Sequence, residues 1–440
     1  MNAARPVALS DPAATWTADP RLERAHQHAR RGEVLQAELL YRALLSDHAD
    51  CVPAARAVAA LALERDDVQA AHAHLTAAVR YAPSDTGVLL AHAQVLWQIG
   101  AAEQARTTLE SLVGLDPSHH LAWLLLGDIR QAAGDNHGAL RAWYQAITRA
   151  QAAGQWVSHE TTDPAIVDAV VRNVERLRKG RREHLFEAFQ DIRDSAGTAA
   201  LARVEYALTG YLGEWDATPP DPRQRPKFFY FPGLPEGPYH DPMLHAWAPM
   251  LHDAWRELRA EAMALLAEDR DFESFLGLKP GQSREGYVGG SNPNASWDAY
   301  FFYRHGQRVD AHHAHCSRTS AVLELTELCR VANQAPEVCF SVIRPQSTIM
   351  PHYGVTNTRL VMHLPLIVPR DCALDIIGAD AHHWKEGELM MFDDTFQHGA
   401  WNNSDQPRLI LLMDCWNPHL SEPERLAVKQ IVEAIDALEN

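Results

Sequence analysis

Gly32, Asp66, Gly100 and Gly134 recur every 34 residues along the first third of this 440-residue chain. Ala37, Ala71, Ala105 and Ala139 keep the same interval, as do Ala25, Ala59, Ala93 and Gly127. Large residues recur in phase with them: Tyr41, Leu75, Leu109 and Trp143, then Leu45, Val79, Val113 and Ile147. Small residues let paired helices approach closely, turn-compatible residues separate the pair, and large ones fill the core between neighbouring pairs. Coincidental Ala-rich helices would not keep four independent positions in register. The period therefore predicts an α-solenoid over residues 18–150.

A 34-residue helix–turn–helix period is that of tetratricopeptide repeats. The concave face of such a stack binds an extended peptide or partner, or the stack serves structure or dimerisation alone; the repeat pattern leaves both open. Nothing on its helices offers catalytic residues. Residues 151–216 keep apolar positions at helical spacing, as in DPAIVDAVVRNVERLRKG, and are expected to extend and cap the solenoid. The basic cluster Arg176, Arg178, Lys179, Arg181 and Arg182 reads as a solvated helix face in a chain of net charge −17. The prolines of ATPPDPRQRP (217–226) disfavour helix and mark the start of a second domain, 217–440.

That second domain is expected to open with a strand in FFYFPGLPEGPYHDP and a helix in MLHAWAPMLHDAWRELRAEAMALLAED. Short apolar runs follow: AYFFY, VCFSVI (338–343), RLVMHLPLIV (359–368), ELMMF (388–392) and RLILLMD (408–414). Strands of this length between turn residues suggest an antiparallel sandwich or barrel. His352 and His398 could converge inside it, and neutral imidazole suits Fe, Zn, Cu or Ni. Arg408 follows on the last strand, where its planar fork would bind a carboxylate bidentately.

This segment resembles the aspartyl/asparaginyl β-hydroxylase family of 2-oxoglutarate oxygenases. The resemblance rests on PHYGVTNTRLVMHL, FDDTFQHGAWN and the arginine of QPRLILLMDCWNP, and spans roughly residues 226–420. It implies His352 and His398 as Fe(II) ligands and Arg408 as partner of the 2-oxoglutarate side-chain carboxylate. Ser341 and His363 match positions that also contact the cosubstrate. Trp297, in SWDAYFFYRHG, matches a tryptophan near the same pocket, and Arg359 is retained as a further cosubstrate contact. The fold implied is a double-stranded β-helix, a jelly-roll relative, so the chain as a whole is α+β and multidomain. The activity implied is hydroxylation of Asp or Asn at Cβ in a peptide or protein substrate. An extended substrate could lie on the repeats while one side chain enters the barrel.

Departures from the family pattern keep other readings open. Position 354, two residues after the first histidine, is Gly and offers no ligand, whereas many two-His iron sites carry a carboxylate there. Water, a halide as in Gly/Ala-bearing halogenases, or Asp393 or Asp394 could fill the third position; the matching acidic pair in the family is not a ligand, which favours water. Val361 stands where the animal enzymes have arginine. Their cysteine pair near 311–320 is replaced here by His313 and Ser320. The alternatives are a small-molecule or lipid hydroxylase, and a repeat adaptor with an inactive barrel. The group His312, His313 and His315 is a rival chelating cluster, but it sits between strand and helix signals with no barrel-like strands framing it.

Bulk properties narrow the setting. The acidic balance argues against nucleic acid or an anionic membrane as a general partner. No 18-residue apolar run predicts a membrane span. MNAARPVALSDPAATW has no basic stretch followed by an apolar one, so no signal peptide is expected. Six scattered cysteines without a CxxC pair fit reduced thiols, hence a cytoplasmic setting.

Overall fold

The computed structural model describes residues 15–277, 286–292 and 294–439. Residues 1–14, where a signal peptide was sought, lie outside them. Two compact units emerge, one up to Arg181 joined by the last residues from Leu438, the other Arg182–Ala437.

The first unit is helical. Its pairs are α1 (Pro20–Arg30) with α2 (Val34–Asp47), and α3 (Val52–Leu63) with α4 (Val68–Tyr81). Two more follow: α5 (Thr86–Gln98) with α6 (Ala102–Leu115), and α7 (His120–Ala132) with α8 (Asn136–Ala152). The 34-residue series explains why each pair turns where it does. Gly32, Asp66, Gly100 and Gly134 all have positive φ, from 56° to 82°. The next amide in each case bonds back to the first helix: Glu33 to His28, Asp67 to Ala62, Ala101 to Leu96 and Asp135 to Arg130. This is a left-handed C-terminal cap repeated four times, for which glycine is the least strained residue. Gly127 replaces alanine for a packing reason, since a Cβ there would lie 2.4 Å from the Trp143 ring.

In the second unit, α9 (Val167–Glu187) contributes Leu185, and α10 (Gln190–Ala196) and α11 (Ala202–Tyr211) follow. The division between the two units falls within residues 151–216, the stretch expected to extend and cap the solenoid. Leu185, Phe189, Val204 and Leu208 pack with Phe229, Phe231, Trp416 and Ile431 of the second unit. The amphipathic pattern had marked a buried face without saying what covers it.

The strands are β1 (Tyr239–His240), β2 (Glu273–Ser274), β3 (Val288–Gly289), β4 (Trp297–Arg304) and β5 (Gln307–Arg308). Then come β6 (Val338–Ile343), β7 (Ser347–His352), β8 (Arg359–Ile367) and β9 (Cys372–Ile376). The last are β10 (Met390–Phe392), β11 (His398–Asn402) and β12 (Arg408–Trp416). They form two antiparallel sheets: β1-β10-β8-β12-β6-β4-β2, with β5 beside β4, and β3-β7-β11-β9. From β6 to β12 successive strands alternate between the sheets. The expected opening strand is absent from FFYFPGL. Phe229 makes only an isolated bridge to Thr356, and the Asn357 side chain takes both the amide and the carbonyl of Phe231.

The larger sheet is buried on both faces, which is why its strands read as unbroken apolar runs. Tyr300, Phe340, Leu364 and Leu411 face a layer containing α12 (Ala248–Glu268), with Leu251 and Leu258, and α14 (Ser317–Glu324), with Val322 and Leu323. Each such side chain contributes about 1.5–3 kcal/mol of burial. The alternate residues Phe301, Cys339, Val361 and Ile410 meet Ile349, Leu374 and Ala400 of the smaller sheet. The polar site lies in this second core. No helix among the described residues is long and apolar enough to cross a membrane.

Candidate active site

β-pairing brings the two histidines together. His398 on β11 is the register partner of His352 on β7, and their ring centroids are 4.2 Å apart. Each ring has its Nδ1 2.9 Å from the carbonyl two residues earlier, Met350 for His352 and Phe396 for His398. Those bonds place the ring proton on Nδ1 and leave both Nε2 lone pairs free, the usual arrangement for metal-binding imidazoles. Burial pushes the His398 pKa down to about 3, with His352 adding to the effect, and burial lowers His352 as well. Both rings are therefore neutral at physiological pH, as a ligand must be.

Side chains on the inner face of the larger sheet stand opposite. Period-two alternation aims Ser341 on β6, Arg359 and His363 on β8, Arg408 on β12 and Trp297 on β4 toward the same core. Trp297, Ser341, His352, Arg359, His363, His398 and Arg408 all line one cavity of about 180 Å³. Trp297 donates its indole N–H to Ser341 Oγ at 2.9 Å. His363 accepts from the Trp384 indole at 3.3 Å and is held neutral by burial and by Arg408.

Arg408 is 2% exposed and no acidic side chain pairs with it among the described residues. Its Nη1 donates to the Ser341 carbonyl at 3.3 Å, and its Nε has no partner among the described residues. Burial pulls its pKa down to about 10. A buried guanidinium in this condition is costly unless an anion joins it. Arg359 differs: it is ion-paired with Asp414 and lies 3.8 Å from Asp394.

The space at Gly354 is occupied. A Cβ there would lie 2.1 Å from the carboxylate of Asp394, whose own pKa burial raises to about 7. Among the described residues no third His, Cys, Asp or Glu joins the two histidines in a metal-binding group, so neither Asp393 nor Asp394 is placed as a ligand. Asp393 instead accepts from Thr395 and Gln224. The His312–His313–His315 group lies on α13 (Asp310–His315), where His312 bonds the Phe301 carbonyl and His313 bonds Ser320 Oγ.

Three aromatic residues complete the site without having been singled out in the sequence. Phe275 stacks on Trp297 at 3.8 Å, Phe392 lies 5.2 Å from both His363 and His398, and Arg408 sits over Trp384 at 4.8 Å. Phe392 was reachable, as the last residue of the ELMMF run; Phe275 sits in a turn and Trp384 in irregular backbone, neither with a periodic signal.

Two facing sheets thus bring together a histidine pair and a buried arginine that has no acidic partner among the described residues. Residues 252–418 match the family model described as Aspartyl/Asparaginyl beta-hydroxylase, and residues 62–129 match a Tetratricopeptide repeat model. The chain is thus a tetratricopeptide-repeat protein carrying an aspartyl/asparaginyl β-hydroxylase family domain. The mouse aspartate beta-hydroxylase domain-containing protein 2 is 28% identical over 254 residues, 57% of this chain and 71% of that one. Human aspartyl/asparaginyl beta-hydroxylase is 27% identical over 180 residues, 40% of this chain but 22% of that one. An ornithine lipid ester-linked acyl 2-hydroxylase of Rhizobium tropici is 27% identical over 190 residues, 43% of this chain and 63% of that one.

Proposed function

We propose that this chain is an Fe(II)- and 2-oxoglutarate-dependent hydroxylase acting on Cβ of Asp or Asn side chains in a peptide or protein. The observation that carries the reading is Arg408, a cation enclosed opposite the histidine pair with no carboxylate of its own. A dicarboxylate cosubstrate supplies what it lacks. The alternation of β6–β12 between two sheets supports reading the domain as a double-stranded β-helix.

In this reading His352 and His398 would hold the metal through Nε2, each ring fixed by its Nδ1–H bond to a backbone carbonyl. Arg408 would bind the far carboxylate of 2-oxoglutarate with its planar fork. Ser341 and Trp297, already bonded to each other, would border that cosubstrate, and neutral His363 offers it one ring nitrogen. Bound metal and cosubstrate together supply the activation of dioxygen for C–H hydroxylation. Phe392, Trp384 and Ile410 keep water from the surroundings of that chemistry. Hydroxylation of an acyl chain is a second reading, favoured by the Rhizobium tropici relative and by the apolar lining.

Succinate release with added Fe(II) and 2-oxoglutarate tests the proposal. It should be present in the parent and lost in His352→Ala and His398→Ala, with far-UV circular dichroism unchanged. Full turnover in both variants would overturn the site, and no release from the parent would leave the adaptor reading. Product mass on Asp-containing peptides against acyl lipids separates the two substrate classes.

A further inference from the structure

A second cavity of about 320 Å³ adjoins the reaction cavity and shares Phe275, Glu337 and Arg359 with it. The rest of its wall is mainly apolar, with Phe228, Val355, Trp416 and Val432. The polar groups at its edge already have partners: Arg304 pairs with Glu273, Arg359 pairs with Asp414, and Glu337 accepts from the His305 amide. An ionised ligand group would find no free counter-charge there, and burying one unpaired is costly.

The reaction cavity, about 180 Å³, falls below the roughly 300–1,000 Å³ that encloses a whole small ligand. With a cosubstrate on Arg408, a residue presented to the histidines has neighbours that must lie outside. Phe275, Glu337 and Arg359 line both cavities, which sets the second one directly beside the reaction cavity, where such a neighbour can lie. Gln334, Glu337 and Thr356 interrupt the apolar surface. That suits a side chain carried on an amide backbone better than an unbroken acyl chain.

We infer that the second cavity is a specificity subsite for a large uncharged apolar side chain near the hydroxylated residue of a peptide substrate. This rests on the peptide reading above. The chemistry sought is Leu, Phe or Trp, in preference to Asp or Lys, at one fixed offset from the target.

The test uses the full chain with Mn(II), 2-oxoglutarate and fluorescent peptides, read by anisotropy without turnover. Each peptide carries one Asp in a Gly/Ser background, with Phe moved through the flanking positions. One position should tighten binding by about tenfold or more, as expected for burying a Phe-sized group. Val432→Trp and Val355→Trp fill the cavity from positions already partly exposed. Either should return the Phe peptide to the affinity of the plain one and leave the plain one unchanged. A uniform response to Phe, or a gain that survives both variants, overturns the subsite while the peptide reading stands. Displacement of the Phe peptide by dodecanoate, with Phe giving no positional gain, assigns the cavity to acyl chains and overturns it too. If no Asp or Asn peptide binds, the peptide reading fails and the subsite with it.

Discussion

Replacing Arg408 with methionine separates a ligand-binding arginine from a structural one, because the two roles predict opposite signs of stability change. Burial lowers the guanidinium pKa from 12.5 to about 10. At about 1.4 kcal/mol per pKa unit, holding the cation in the unliganded cavity costs on the order of 3 kcal/mol at neutral pH. The Trp384 ring at 4.8 Å returns about 1 kcal/mol. Arg408→Met, long and apolar, should therefore raise the stability of the unliganded chain by roughly 1–2 kcal/mol. For 2-oxoglutarate the sign reverses. Loss of a charged hydrogen bond costs about 1.5–3 kcal/mol, or roughly ten- to a hundredfold in affinity. Arg408→Lys keeps the charge without the planar fork and should weaken cosubstrate binding in the same direction. The assay is thermal melting with Mn(II), with and without 2-oxoglutarate. The methionine variant should start higher and lose the upward shift that the cosubstrate gives the parent. A lower starting melting temperature with the cosubstrate shift intact would refute the reasoning and make Arg408 a structural residue.

Gly354→Asp should destabilise the second unit by about 1–3 kcal/mol and lower metal content, because Asp394 already fills that space; Gly354→Asp with Asp394→Gly should recover much of the loss in melting temperature. Gly127→Ala should cost a similar amount by driving a methyl into Trp143, and Trp143→Leu should relieve it, with a coupling in the double-mutant cycle of about 1 kcal/mol or more. Burial raises the Glu337 pKa from 4.5 to about 7, so between these values the folded state holds a proton that the unfolded chain has lost. Stability contributed by this group is thus full below pH 4.5 and falls as pH rises to 7; Glu337→Gln should match the parent in urea midpoint at pH 4 and exceed it at pH 8. An equal parent–variant difference at both pH values would count against that assignment.

Much of this arrangement was legible because the relevant signals are periodic. Helix pairs return every 34 residues, and the left-handed positions from Gly32 to Gly134 need only local geometry to be read. Alternation along strands placed Arg359, Val361 and His363 on one face, and Arg408, Ile410 and Leu412 on another, so the polar members had to meet in one core. What escaped was fixed by contacts distant in sequence. Helices α10 and α11 display an apolar face, yet only tertiary packing assigns it to Phe229, Phe231 and Trp416. FFYFPGL has strand composition, but the amides of Phe228 and Phe229 go to the Val355 carbonyl and both backbone groups of Phe231 to the Asn357 side chain, instead of to a neighbouring strand.

Gly127 was read from the sequence as one of the small residues of the repeat and Gly354 as a missing ligand, and the space beside both is filled. At Gly127 the missing methyl belongs to Trp143, a residue larger than its counterparts Tyr41, Leu75 and Leu109 in the other repeats. At Gly354 the missing side chain belongs to Asp394, which stands four residues before His398 and reaches into the volume that a ligand at 354 would use. A carboxylate beside the two histidines therefore cannot be introduced by one substitution at 354, because the incoming group meets one already buried there beside Arg359. The surroundings of the two histidines are packed with their own acid, so placing a carboxylate at 354 requires positions 354 and 394 to change together.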